Sequence, residues 1–454
     1  MSHTSVVVIG AGLSGLAAAR ELQAHGLDAV VVEARDRVGG RVSTRHLAGG
    51  LQIDLGGQWI GPTQTRMYEL AEELGVELFP LQEIGAAVVH QGGQRLTGPT
   101  EAAVDVYRRV DALARTVDLH APERTPDAAA LDTQTLRTWL LAQTDPATAD
   151  YVGRLLAGGL LAKSAGEVSV LQMLFSVRSG GGTTSLLATR GGAQQDRMVG
   201  GPFTLADRLA DALGREHLRT GFAVTRLSLD GDVWRVHAAD GRHACAGRVV
   251  VTLPPVVLRG VRVEPALPVP VRRALTSITP GLATRYHAVY PTPLWRERGL
   301  SGVFNADEGW ITEAVDNSVP DDPRGVLTFF TYGDETAALD ALPADQRRAL
   351  LLAELADRLG DERLRDPLEL VEFSWEEEPW TGGCFSGSFT VGTMHRHAAA
   401  LREPWRGLHF AGTETADVWN GYFEGAVRSG EREARRVAAD LLPGSRRAGA
   451  AARA

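Results

Sequence analysis

At 454 residues the chain is longer than one ordinary core and predicts two domains. Its 44% hydrophobic and 23% charged residues mark an ordinary globular protein, and a net charge of −9 argues against a nucleic-acid partner. No stretch reaches the ~18 apolar residues of a membrane span, and two cysteines, Cys245 and Cys384, are too few for a disulfide framework, so a reducing cytoplasm is the expected setting.

Val6–Ile9 is a run of β-formers that ends in Gly10-Ala-Gly12-Leu-Ser-Gly15, and Glu33 closes the next such run, Ala29–Val32. The opening run has no basic flank and no small-residue cleavage site, so it reads as a strand and not as a signal peptide. Strand, glycine turn, helix and an acid 18 residues past Gly15 make a dinucleotide cradle. The glycines let backbone approach a pyrophosphate at the helix start near Leu13, and Glu33 can accept hydrogen bonds from an adenosine ribose. Arg35-Asp-Arg37-Val-Gly39-Gly40-Arg41 follows directly. A second glycine pair and a cation can clamp the same pyrophosphate from its other side, with Arg41 giving charge-assisted hydrogen bonds, which a plain nicotinamide domain does not need. Gly40, Arg41 and Arg35 join the candidate cofactor set, although a solvated loop also suits Arg35 and Arg37.

Residues 16–25 read as the helix of this βαβ unit, and 65–74 as an amphipathic helix ending at Gly75. Between about 80 and 200 the alanine-rich chain predicts helices at 107–119, 136–143, 149–162 and 168–177, with 121–132 an exposed loop around Pro122 and Pro126. A helix at 204–213 precedes strands at 223–229, 232–238 and 248–252, which return the chain to a sheet. From 275 to 378, strands such as 285–290 and 326–332 surround one helix at 344–359, an α+β pattern. Residues 408–414 form a second strand-glycine-acid turn before a helix at 425–442, and the Arg/Ala/Gly-rich 443–454 is expected to be disordered.

Further blocks follow in order: Asp54-Leu-Gly-Gly57-Gln-Trp59, Gln194 leading to Val199-Gly-Gly201, Thr252-Leu-Pro-Pro255, Trp380-Thr-Gly-Gly-Cys384, Ala411-Gly-Thr413-Glu414-Thr415 and Gly421-Tyr422-Phe423-Glu-Gly-Ala426. With them the chain resembles the flavin monoamine oxidase family nearly end to end. The resemblance implies an α/β fold in which a Rossmann-like FAD domain is interleaved with an α+β substrate domain. The FAD domain would take 1–78, 199–274 and 378–442, and the substrate domain 79–198 and 275–377, with 443–454 as tail. It implies oxidation of a small-molecule amine to an imine, which water hydrolyses, while O2 reoxidises the flavin and becomes H2O2. The runner-up is a flavin dehydrogenase or biosynthetic tailoring enzyme acting on a larger amine with another electron acceptor. Gly56-Gly-Gln-Trp-Ile-Gly-Pro, without an arginine for a substrate carboxylate, favours a plain amine. Homodimers are common in the family, and nothing in the chain shows one.

Carried over position by position, Gly10, Gly12, Gly15, Glu33 and Arg41 form the ADP-binding set and Val224 a backbone contact to adenine. Gly57, Trp59 and Phe423 fall near the flavin, and Thr413 with Glu414 forms the turn under its ribityl and pyrophosphate. Tyr422 is one wall of the aromatic cage and Phe385 the other, where tyrosine is usual. Two aromatic faces steer an uncharged amine toward the ring; as isolated residues both would read as core aromatics. Gln194 matches a cavity glutamine, and Leu187 falls near the cavity mouth. Cys384 stands where mammalian relatives join sulfur to the flavin 8α-methyl, so FAD is either covalent through Cys384 or the cysteine is a small buried hydrophobe. Arg285, counted back from Trp295, falls where the family places a lysine that holds a water against the flavin. A guanidinium is larger, planar and always charged, which points to slower reaction with O2. Lysine is nearly absent, Lys163 being the single one. His395 and His397 lack a metal-binding pattern and read as exposed, and Glu376-Glu-Glu378 reads as a solvated loop.

Overall fold

The computed structural model describes residues 4–442; the tail expected to be disordered lies outside the described residues. The first strand sits at the centre of a five-stranded parallel sheet, in the order Leu218–Arg219, Ala29–Val32, Val6–Ile9, Arg248–Val251, Leu408–Phe410. Its valines are buried on both faces, as a parallel sheet between helices requires. The helices Leu13–Ala24 and Phe423–Leu441 cover it and meet backbone to backbone, because a Cβ on Gly430 would overlap the Ser14 carbonyl. Three chain segments distant in sequence thus build one nucleotide-binding layer.

Strands Val224–Asp230 and Val233–Ala238 do not return to that sheet. They join His243–Ala246 and Arg262–Glu264 in a separate four-stranded sheet, while Arg248–Val251 enters the parallel one. A seven-stranded sheet forms the second half of the molecule, ordered Glu369–Ser374, Ala283–Tyr290, Gly325–Tyr332, Glu313–Asp316, Leu300–Ala306, Ala86–Gln91, Gln94–Leu96. Ala283–Tyr290 and Gly325–Tyr332 are buried at every residue. A three-stranded patch of Trp59–Ile60, Asp196–Met198 and Leu78–Pro80 lies between these parts in sequence.

The helical region departs from expectation at three places. The helix foreseen at 107–119 is Glu101–Ala114, started by Thr100, whose hydroxyl accepts from the Ala103 N–H. The single helix foreseen at 149–162 is Pro146–Gly153, a π-helical turn Arg154–Gly158 and a short Gly159–Leu161. A Cβ on Gly158 would lie 2.8 Å from the Tyr332 ring, so the glycine admits that ring. The loop foreseen at 121–132 carries the helix Ala128–Thr133, and Asp132 is fully buried, accepting from Ser169 Oγ at 2.7 Å and from the His395 N–H at 3.0 Å. His395 is therefore tied to a buried carboxylate and is not an exposed side chain.

Candidate active site

Gly10, at φ +105°, and Gly15 make the turn possible: a Cβ on Gly10 would sit 2.6 Å from Thr252 Oγ1, and one on Gly15 would overlap the Gly10 carbonyl. Gly12 begins the helix without a side-chain cap, so the first N–H groups are left for an anion. Glu33 is buried and accepts from the Ala11 N–H at 2.8 Å and the Arg35 N–H at 2.9 Å, which locks the glycine turn to the second strand. Gly10, Gly12, Glu33, Gly40, Arg41 and Val224 all line one large cavity. Gly15 does not line it and acts through packing.

The three arginines after Glu33 have separate partners. Arg35 lines the cavity, yet its guanidinium donates to Glu378 Oε2 at 2.9 Å and to Thr381 Oγ1 at 2.8 Å. Glu378 is thus an ion-pair partner and not part of a freely solvated acidic loop. Arg37 donates to the carbonyls of Val38, Gly40 and Val42, which braces the second glycine pair and removes it from the solvated-loop reading. Arg41 grips Glu414 through both nitrogens, at 2.7 and 3.2 Å, and donates to the Phe385 carbonyl at 3.0 Å. Burial pushes the Glu414 carboxyl up, but the Arg41 charge and hydrogen bonds outweigh it and hold the carboxyl below its usual range. Glu414 stands outside the main cavity, so its reach into the site runs through Arg41.

The same cavity is lined by Gly57, Trp59, Gln194, Leu187, Arg285, Cys384, Phe385, Thr413, Tyr422 and Phe423. Gly57 is required there, because a Cβ would stand 2.5 Å from the Phe423 ring. Tyr422 packs edge-on to Trp419 at 4.9 Å, and Phe385 edge-on to Tyr332 at 5.9 Å and Phe330 at 6.3 Å. The two candidate cage rings come from different elements and lean on different partners. Thr413 Oγ1 donates to the Tyr422 carbonyl at 3.0 Å, fixing that loop. Gln194 donates to the Leu186 carbonyl at 3.0 Å, while its Oε1 and the Trp59 Nε1 are buried without a hydrogen-bond partner among the described residues.

Arg285 is buried on Ala283–Tyr290, the second strand of the seven-stranded sheet, with one nitrogen donating to the carbonyls of Asp54, at 2.7 Å, and Gly56. Its guanidinium lies over the rings of Phe330, at 4.8 Å, and Trp59, at 5.7 Å. Burial lowers its pKa to about 10 against the Asp54 charge, so it stays cationic at neutral pH. Cys384 is buried, its thiol against the Ala283 carbonyl at 3.6 Å, and burial pushes its pKa up to about 12 despite Arg285 nearby. Asp54 also forms a fully buried ion pair with Arg197 at 2.9 Å. Sequence reasoning passed over Tyr332 and Glu313, which line the same cavity and hydrogen-bond to each other. An acid on a short strand reads as solvent-facing, and no local pattern signals otherwise.

An uncapped helix N-terminus, glycine backbone without side chains, a basic clamp and aromatic rings lining one cavity suit a long dinucleotide whose second half is a ring system. The residues present therefore fit FAD. The description "Flavin containing amine oxidoreductase" belongs to the family model that matches residues 13–438. A protein of Mycobacterium tuberculosis named "Putative flavin-containing monoamine oxidase AofH" is 36% identical over 446 residues, covering 96% of this chain and 97% of the relative. Amine oxidase [flavin-containing] B of Canis lupus familiaris is 32% identical over 445 residues, covering 95% and 85%. Among solved structures, wild-type putrescine oxidase bound to putrescine superposes with a TM-score of 0.92 at 33% identity, covering 96% of this chain and 99% of that one. Cyclohexylamine oxidase from Brevibacterium oxydans IH-35A does so with 0.92 at 31%, covering 97% and 100%. The dinucleotide cradle, the aromatic lining of the cavity and these matches along almost the whole length agree: the chain belongs to the flavin-containing amine oxidoreductases, enzymes that oxidise amines with FAD.

Proposed function

We propose that this enzyme is an oxidase, which passes electrons from an amine to O2 and releases an imine and H2O2; water then converts the imine to an aldehyde or ketone plus ammonia or a smaller amine. The observation that carries the reading is the arrangement of Phe385 and Tyr422 in the cavity that also holds Gly57, Trp59 and Cys384. Bound FAD supplies the two-electron acceptor. The chain's own residues bind and orient: Gly10, Gly12, Gly40 and Arg41 hold the pyrophosphate end, and Gly57, Trp59 and Phe423 seat the ring. Phe385 and Tyr422 exclude water and present the amine in its uncharged form, whose lone pair an ammonium lacks. Burial raises the Tyr422 hydroxyl pKa, so that ring stays neutral at working pH. Gln194, which lines the same cavity, helps to orient the amine. Among the described residues no helix is long and apolar enough to cross a membrane, and the free cysteines support a cytoplasmic setting.

Arg285 favours a second reading, a dehydrogenase that hands its electrons to another acceptor, because its charge is spent on two carbonyls. The test is to mix the yellow protein anaerobically with a panel of amines, follow the flavin's visible band, then admit air and assay peroxide. Bleaching followed by prompt peroxide is the expected result. Bleaching without reoxidation selects the dehydrogenase, and no bleaching by any amine overturns both.

A further inference from the structure

Two buried arginines meet at one buried acid. Arg197, fully buried on the strand Asp196–Met198, donates to Asp54 Oδ2 at 2.9 Å and to the Asn317 carbonyl at 2.7 Å, and its guanidinium lies over the Phe79 ring at 5.2 Å. Thr44 Oγ1 at 3.0 Å and Gln52 Nε2 at 2.9 Å fill the Asp54 carboxylate from other sides. The chain leaves room for it: Gly201 stands at φ +84°, and a Cβ there would come 2.6 Å from Asp54 Oδ1. Arg285 takes only backbone, the carbonyls of Asp54 and Gly56. The carboxylate thus belongs to Arg197 and the carbonyls to Arg285.

One positive charge is left over. Arg197 and Asp54 cancel each other, and among the described residues Arg285 forms no ion pair. Carbonyl oxygens and the faces of Trp59 and Phe330 solvate its guanidinium without cancelling the charge. The titratable groups around it do not compensate. Burial pushes the Cys384 thiol up to about 12, keeps the Tyr332 hydroxyl protonated, and lowers the His287 imidazole so that it stays neutral. Glu313, two strands away in the seven-stranded sheet, accepts from the Tyr332 hydroxyl, and burial pushes its carboxyl up. Asp54 is the acid that weighs most on Arg285. A fully buried ion pair adds little stability over apolar residues of the same volume, yet this one immediately precedes Leu55, Gly56 and Gly57, which line the cavity together with Arg285.

An uncharged amine that passes a hydride to the flavin is left as an iminium, and the ring gains two electrons and one proton. The reduced ring therefore carries one more negative charge than the oxidised ring, and a fixed cation in a dry cavity favours it. We propose that Arg197 is a positioning residue that acts through Arg285: by occupying the Asp54 carboxylate it leaves the Arg285 charge uncancelled, and that charge stabilises the reduced flavin. The assignment needs FAD in the cavity and no particular electron acceptor, so it stands apart from the choice between oxidase and dehydrogenase.

The test is the two-electron midpoint potential of the FAD-loaded enzyme, read by equilibration with a reference dye in mildly alkaline buffer, which keeps carboxylates ionised. Arg197→Gln turns the Asp54 charge onto Arg285 and should shift the equilibrium about tenfold or more against the reduced flavin, ~30 mV downward. Asp54→Asn leaves two cations uncancelled and should move it upward by a similar factor. The double variant, Arg197→Gln with Asp54→Asn, removes a neutral pair and should return to the wild-type potential, as should Arg197→Lys. Damage to packing alone would push both single variants the same way and the double variant further still. That pattern overturns the proposal, as does a potential unmoved in both single variants. Should Arg197→Gln fail to retain flavin, Asp54→Asn decides: an upward shift supports the assignment, and a downward or absent shift overturns it.

Discussion

Arg285 does two jobs that a lysine at the same place could not do together. One nitrogen ties the Asp54 and Gly56 carbonyls to the sheet, and its planar face fills the gap between Trp59 and Phe330. A guanidinium so committed is poorly placed to hold a water toward the flavin, whereas an ammonium has three donors that turn freely. Arg285→Lys is expected to speed O2 consumption by the pre-reduced enzyme several-fold, measured by stopped flow. It should also cost about 1–3 kcal/mol of stability through the carbonyls left unpaired. An unchanged oxidation rate would show that the guanidinium does not set reactivity with O2.

Lys163 offers a titration with a clear sign. It is buried, donates to Thr279 Oγ1 at 2.8 Å, and burial lowers its pKa from 10.5 to about 8. The unfolded chain thus binds the proton more tightly, and the folded state loses stability while the amine is charged: fully below about pH 8, less as pH rises, and not at all above 10.5. Lys163→Met should stabilise the protein by on the order of 2–3 kcal/mol at neutral pH. Denaturation midpoints taken between neutral pH and the lysine's ordinary pKa should show that gain shrinking; a gain independent of pH would assign it to packing.

At the scale of elements, the glycine turn and the first helix are the rigid part of the site. The Gly10 carbonyl sits where a Cβ on Gly15 would be, and neither backbone can move without breaking the parallel sheet. Gly15→Ala should lower stability by about 3 kcal/mol, at the upper end for overpacking, and reduce flavin content of the purified protein. Full flavin content with wild-type stability would contradict this account. The turn was legible in the sequence because its signal is local: strand, glycines, helix and Glu33 all fall within one βαβ unit. The π turn at Arg154–Gly158 was not, since the apolar spacing of 149–162 is that of a continuous helix and the reason for the break, the Tyr332 ring, comes from far along the chain. Asp132 and Glu313 were missed for the same reason, because burial of an acid is decided by partners distant in sequence. Ser169 and His395 hold the first; the cavity receives the second. The arginines after Glu33 divide likewise: their presence was readable, while the pairing of Arg35 with Glu378 and of Arg41 with Glu414 depends on chain contributed more than three hundred residues later.

For the whole molecule, the cofactor cradle is assembled from strands Val6–Ile9, Ala29–Val32, Leu218–Arg219, Arg248–Val251 and Leu408–Phe410, so residues from both ends of the chain would hold FAD. We expect the flavin to stay with the acid-precipitated wild-type protein through Cys384 and to pass wholly into the supernatant from Cys384→Ser. Yellow supernatant from the wild type would mean that the thiol is only a buried apolar side chain. The Cys384→Ser apoprotein then allows a second measurement. Its stability should rise by about 4 kcal/mol when FAD reaches a thousandfold over its dissociation constant, and a melting temperature indifferent to FAD would refute the idea that the cradle is held together by its ligand.

The near-absence of lysine bears on what the enzyme releases. A primary amine carrying α-hydrogens on an unbranched carbon leaves as an aldehyde, and aldehydes condense with unprotonated amines to form Schiff bases and cross-links. The single lysine of this chain is 5% exposed, and the cations that replace it elsewhere are guanidinium groups, which stay protonated and are poor nucleophiles. The side-chain surface is therefore nearly inert toward the reaction's own carbonyl product.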